Sequence, residues 1–141
     1  MNKQAVFTKV AAELAPVFEE LRRREPIFHT PEFGTTVADF EKATAPDYWE
    51  VGASGRRYSR EFILQTPDRK DRVDAAAAGW HSYDHGLRRL GPDTYLLTYT
   101  LRQGERVTRR ATIWEKAGVG WRVLYHQGTV VLAEEDDVVP T

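Results

Sequence analysis

The sequence predicts an α+β fold in which N-terminal helices precede a curved antiparallel sheet. Three observations predict it. Apolar residues recur at three- and four-residue spacing near the N-terminus, the mark of helix. Past the charged segment PDRKDR, residues 67–72, the pattern changes to strand-like alternation. Glycine turns at Gly91-Pro92-Asp93, Gln103-Gly104 and Gly118-Val119-Gly120 then separate long segments, and short turns between long strands dictate an antiparallel meander. Helices first and strands second is the α+β order.

The apolar stripe Val6, Phe7, Val10, Leu14, Val17, Phe18 and Leu21 predicts a short N-terminal helical segment and then a helix from about Ala15 to Glu25. Pro16 divides the two, since proline is welcome only in a first turn. Pro26 and Pro31 end the helix and leave His29 in a loop. Thr36 followed by Asp39 resembles a capping pair for a short helix through Phe40 to Ala43, closed by Pro46. Tyr48 to Val51 reads as a strand, Ser54-Gly55 as a turn and Arg57-Tyr58 as a brief second strand. Ser59 then caps a helix to about Thr66. The four strands of the second half are expected at 76–90, 94–103, 105–116 and 121–132, before the acidic, frayed tail EEDDVVPT.

At 141 residues the chain fits one domain. It divides into an N-terminal extension (1–13), a domain (14–132) and an acidic tail (133–141). A net charge of −1 gives no pull towards nucleic acid or acidic lipid, and the arginine pairs read as salt-bridged, solvated faces. With no cysteine there is no disulfide, thiolate chemistry or cysteine-ligated metal, and a cytoplasmic location is expected. No run approaches a membrane span. Four Trp, six Tyr and six Phe exceed what such a domain needs merely to fold, which hints at a pocket or a partner.

Strand parity sets Tyr95, Leu97, Tyr99 and Leu101 against Leu96, Thr98, Thr100 and Arg102. It also sets Trp121, Val123 and Tyr125 against Arg122, Leu124 and His126. Neither face is polar enough to be bare to water, and helices can cover only one. A homodimer through the sheet is therefore expected, with the mixed face lining a cavity under the helices. That face comprises Thr98, Thr100, Arg110, Thr112, Trp114, Leu124 and His126.

Two stretches carry a resemblance. WEVGASGRRYSREFIL and RRATIWEKAGVGWRVLYHQGT are similar to the nuclear transport factor 2-like superfamily. The nearest branch is one of uncharacterised domains related to SnoaL-like cyclases and calcium/calmodulin kinase association domains. The resemblance spans about residues 14 to 131. It implies a conical, cystatin-like α+β barrel with a central pocket, usually dimeric, but no single function, since the superfamily holds isomerases, cyclases, dehydratases and association modules.

Enzymes of this kind generally use a carboxylate base in an apolar cone, without a cofactor. Glu50, Asp84 and His126 are the candidate catalytic groups. Glu50 lies one residue from the position where the isomerase-like branch carries its aspartate, occupied here by Val51, and a structural carboxylate paired with Arg57 is the other reading. His126 is either a pocket group or a hydrogen-bonded histidine at the sheet edge. The candidate ligand-binding residues are His29, Trp49, Tyr58, Thr100, Arg110, Thr112, Trp114 and Leu124. No metal is expected, because His81 and His85 on a strand stand roughly 13 Å apart. The ligand expected is a small, partly apolar molecule; the alternative is a non-catalytic association module.

Overall fold

A computed structural model describes residues 3–132 and 137–139. Helix α1 spans Ala15–Arg22, α2 Val37–Ala43 and α3 Arg60–Leu64. Six strands follow or intervene: β1 Thr44–Val51, β2 Arg57–Ser59, β3 His81–Gly91, β4 Thr94–Gln103, β5 Arg106–Ala117 and β6 Gly120–Val130. Both caps read from the sequence form. Thr36 and Asp39 make a reciprocal capping box, and the Ser59 hydroxyl accepts from the Phe62 amide.

The sheet order is β2-β1-β6-β5-β4-β3. Two expectations need correction. The sheet is mixed, because β1 runs parallel to β6, and it stays open rather than closing into a barrel. The chain leaves β2 at one edge and re-enters through β3 at the other, so the β3–β6 meander returns the last strand to the side of β1. Pro46 does not close α2; it lies inside β1, where the ladder to β6 is interrupted between Thr44 and Trp49 and no amide is required. The helix expected to Thr66 stops at Leu64, and the first long strand starts at His81, not residue 76.

The N-terminal apolar stripe divides before α1, as expected, but the part ahead of it is not a continuous helical segment. It consists of 3-10 turns at Lys3–Val6 and Ala12–Leu14 before α1, joined by an extended piece in which Val10 bridges Leu87 of β3. This piece runs so close to β3 that a Cβ on Gly86 would lie 2.7 Å from the Phe7 carbonyl oxygen. Gly86→Ala is therefore expected to lift residues 6–10 off the strand. Faster proteolysis there, with a melting-temperature loss of a few degrees, is the result to look for. The expected fraying of the acidic tail falls mostly outside the described residues; Asp137 lies 3.8 Å from Arg109.

Helix-side core residues include Leu21, Phe28, Phe33, Phe40, Tyr48, Leu97, Trp114 and Val123. Their rings pack edge-on, as in Phe28–Phe33 at 4.6 Å and Phe33–Trp114 at 6.1 Å between centroids. Among the described residues, none of α1, α2 or α3 lines the groove on the opposite face of the sheet, which is bordered instead by residues 6–9.

Candidate functional site

Register decides which side chains share the interior. Leu97 pairs with Thr112 and Thr112 with His126, while Tyr99 pairs with Arg110 and Arg110 with Gly128. His126 in turn faces Glu50 on β1. A break in the β5–β6 ladder pairs Ile113 with Tyr125 but Trp114 with Val123, so parity reverses within β6. Trp121 and Val123 thus share the interior with His126, and Leu124 sits half-buried at the break. Thr98 and Thr100 pair with Ala111 and Arg109 and belong to the other face. The expected mixed face therefore splits, with Arg110, Thr112, Trp114 and His126 inside and Thr98 and Thr100 outside.

Between the sheet and the loops holding residues 26–29 and Trp80 lies a cavity of about 70 Å³, lined by Phe28, His29, Glu50, Trp80, Gln103, Arg110 and His126, among others. Ligand pockets commonly measure roughly 300–1,000 Å³. The roomy cone is thus corrected to a small polar chamber, because the phenylalanine and tryptophan rings fill the rest.

Glu50 points into this chamber rather than pairing with Arg57. Its Oε1 accepts from the Tyr48 hydroxyl at 2.7 Å, and burial raises its pKa, opposed by that bond and by Arg110. Arg110 lies on the bare backbone of Gly128, where a Cβ would come within 3.1 Å of the guanidinium. Its Nε donates to Thr108 Oγ1 at 2.9 Å. Among the described residues no carboxylate lies within 4.0 Å of this half-buried cation.

His126 is the pivot of a chain of polar contacts. A guanidinium can only donate, so the 3.5 Å contact with Arg110 marks Nε2 as the acceptor. Nδ1 then carries the proton and donates to Thr112 Oγ1 at 2.7 Å. Burial, aided by Arg110 and His29, lowers the pKa of His126 to about 3, so it stays neutral at ordinary pH. His29 donates from Nδ1 to the Val73 carbonyl at 2.8 Å and packs edge-on against Trp80, and burial lowers its pKa as well.

One residue escaped the sequence reading. Glu25 is buried, and its carboxylate accepts from the Tyr99 hydroxyl at 2.7 Å, Trp114 Nε1 at 3.0 Å and the Ile27 amide at 3.3 Å, with Thr112 beside it. Burial raises its pKa against the pull of those donors. Only an acid just before a proline at the end of an apolar helix stripe marked it in the sequence, and many surface acids share that setting.

The remaining candidates are dispersed. Asp84 is exposed on the outer face, at a break in the β3–β4 ladder with φ 56°. Trp49 is 45% exposed on that face and meets Tyr125 edge-on, with ring centroids 5.0 Å apart. Thr100 is buried there and accepts from Arg109 at 2.6 Å. Tyr58 lies on the edge strand β2, its ring 5.3 Å from that of Phe62. The outer face also holds a groove of about 760 Å³, with Leu96, Ala111, Ile113 and Tyr125 on its floor and Val6 and Phe7 at its rim. Among the described residues no three His, Cys, Asp or Glu side chains gather in a way that could hold a metal ion.

An α+β chain with helices over one face of an open sheet, and a buried acid, base and cation between them, has the nuclear transport factor 2-like, cystatin-like fold. Solved structures support this at the level of fold. A nuclear transport factor 2-like protein of unknown function in nutrient uptake from Rhodospirillum rubrum is 19% identical, with a TM-score of 0.54, over 84% of this chain and 98% of its own. A cystatin-like fold protein from Burkholderia xenovorans is 12% identical, with a TM-score of 0.62, over 84% and 91%. A putative calcium/calmodulin-dependent kinase II association domain from Exiguobacterium sibiricum is 16% identical, with a TM-score of 0.58, over 89% and 98%. No family model matches the chain, and no curated protein does.

Proposed function

We propose that this chain binds a small molecule in the chamber between the sheet and the loop after α1, with Glu50 positioned for proton transfer and no cofactor required. The observation that carries this is the meeting of Glu50, Arg110, His29 and His126 in one partly open cavity. A buried carboxylate with a raised pKa is a stronger base than an exposed one, and isomerisation, cyclisation or hydration are the reactions it would serve. At about 70 Å³, the chamber takes a molecule or a polar end group worth two or three waters, each claiming roughly 30 Å³. A cytoplasmic setting fits the cysteine-free sequence, and no helix among the described residues is long and apolar enough to cross a membrane.

The face away from α1, α2 and α3 favours a second reading, a homodimer or association module. Trp49, Leu96, Ile113 and Tyr125 form an apolar surface there, and a second copy of that surface would cover it. Titration of small polar metabolites, followed by the indole resonance of Trp80, distinguishes the readings. Saturable shifts in wild type that change in Glu50→Gln are expected. No shift from any compound, with a stable dimer by sedimentation, would leave only the association module.

A further inference from the structure

We infer that the ligand of the chamber is a small carboxylate, held by Arg110 and taken up together with a proton that resides on Glu50. This rests on the chamber being the binding site and adds the ligand's chemical class. Charge and geometry lead to it. Arg110 spends Nε on Thr108 and one terminal nitrogen on His126, which leaves donors of the other uncommitted in a cavity it lines. A half-buried guanidinium with no carboxylate within 4.0 Å among the described residues is suited to an anion, and its planar fork matches a carboxylate. Gly128 makes the room in which the guanidinium lies.

The proton follows from the charges already present. The groups around Glu50 are Tyr48 on its own strand, Arg110 on β5, His126 on β6 and His29 on the loop after α1, with Tyr99 and Glu25 behind Arg110. Burial holds His126 neutral and biases His29 the same way, so among the described residues that line the chamber Arg110 is the cation facing Glu50, with Glu25 behind it, Arg106 near Arg110 and Arg72 near His29. A ligand carboxylate would place a third negative charge around Arg110, beside those of Glu50 and Glu25, if both acids stayed ionised. Protonating Glu50 removes one negative charge and turns a repelling oxygen into a hydrogen-bond donor for the incoming carboxylate.

The test compares acetate and propionate with the neutral acetamide and propionamide, by chemical shifts of Trp80 and Gly128 and by calorimetry in two buffers of different ionisation enthalpy. Carboxylates alone are expected to bind, with uptake of close to one proton and affinity falling about tenfold per pH unit above the pKa of Glu50. Arg110→Met should abolish binding, and Gly128→Ala, which displaces the guanidinium, should weaken it at least tenfold. Glu50→Gln should bind without proton uptake, because the amide supplies the donor at every pH. Equal binding of amides and carboxylates, unchanged by Arg110→Met, overturns the carboxylate inference while leaving the chamber as the site. No shift from any of the four, in a protein that melts normally, overturns both.

Discussion

Replacement of Glu25 by alanine is expected to destabilise the protein by about 3–5 kcal/mol, among the largest effects of any single change. The carboxylate is the common acceptor for the Tyr99 hydroxyl, Trp114 Nε1 and the Ile27 amide, and Tyr99 and Trp114 are fully enclosed. Removing it strands those donors, at about 1–3 kcal/mol each, against some relief from no longer burying a charge. For a chain of this length the loss corresponds to a fall in melting temperature of roughly 10–15 °C. Glu25→Gln keeps the shape and one acceptor oxygen, and should lose about half as much. Urea unfolding of both variants checks this. A loss below 1 kcal/mol for Glu25→Ala would mean that water replaces the carboxylate, and that Glu25 does not tie α1 to the sheet.

Acid should unfold the protein largely through its histidines. The pKa of His126 is lowered to about 3 and that of His85 to about 4, both chiefly by burial, from an ordinary value of 6.5. Between those values and 6.5 the unfolded chain holds protons that the folded chain refuses. Stability is therefore fully present above 6.5 and drains away as pH falls, by up to about 1.4 kcal/mol per unit for each histidine. Glu25 and Glu50 act in the opposite sense. Their raised folded values mean that the folded state keeps protons the unfolded state has released above 4.5, so their contribution is lost as pH rises through that window. A difference measurement isolates the histidine. Glutamine at position 126 can still accept from Arg110 and donate to Thr112, but it does not titrate. The stability slope between pH 6 and 4 should be shallower in His126→Gln by about 1.4 kcal/mol per unit. Nitrogen-15 shifts of the ring should show the neutral, Nδ1-protonated form down to about pH 4. A ring that titrates near 6.5 would refute the buried contacts assigned to it.

The local parts of this fold were readable because their causes are local. A threonine three residues before an aspartate, or a serine before an apolar turn, satisfies amides within its own helix, and both caps form at the expected residues. Glycine turns delimit the β3–β6 meander to within a few residues, except at the start of β3. The N-terminal stripe misled because apolar spacing describes a buried face without saying what buries it. Val10 is drawn into a bridge with Leu87, and helix gives way there to extended chain.

The candidate site was legible only in pieces. Glu50, Arg110 and His126 stood out as polar groups among rings, yet Thr98 and Thr100 shared their parity and ended on the opposite face. The unbroken β4–β5 register sets Thr98 and Thr100 apart, while a break in the β5–β6 ladder reverses parity within β6, and both outcomes depend on pairing between strands rather than on counting along one. Glu25 was invisible for a related reason. Its partners Tyr99 and Trp114 lie 74 and 89 residues away, and an acid is marked as buried only by what surrounds it.

By itself, then, the sequence determined the helix caps, the turns, the order of helices before strands and the surplus of rings, all set by interactions within a few residues. Tertiary structure alone decided that β1 runs parallel to β6, that aromatic rings shrink the interior to a small chamber, and that Glu50, Arg110 and His126 meet there with Glu25 buried behind them. Those outcomes depend on pairing between distant segments, where the free energy of one contact is set by all the others around it.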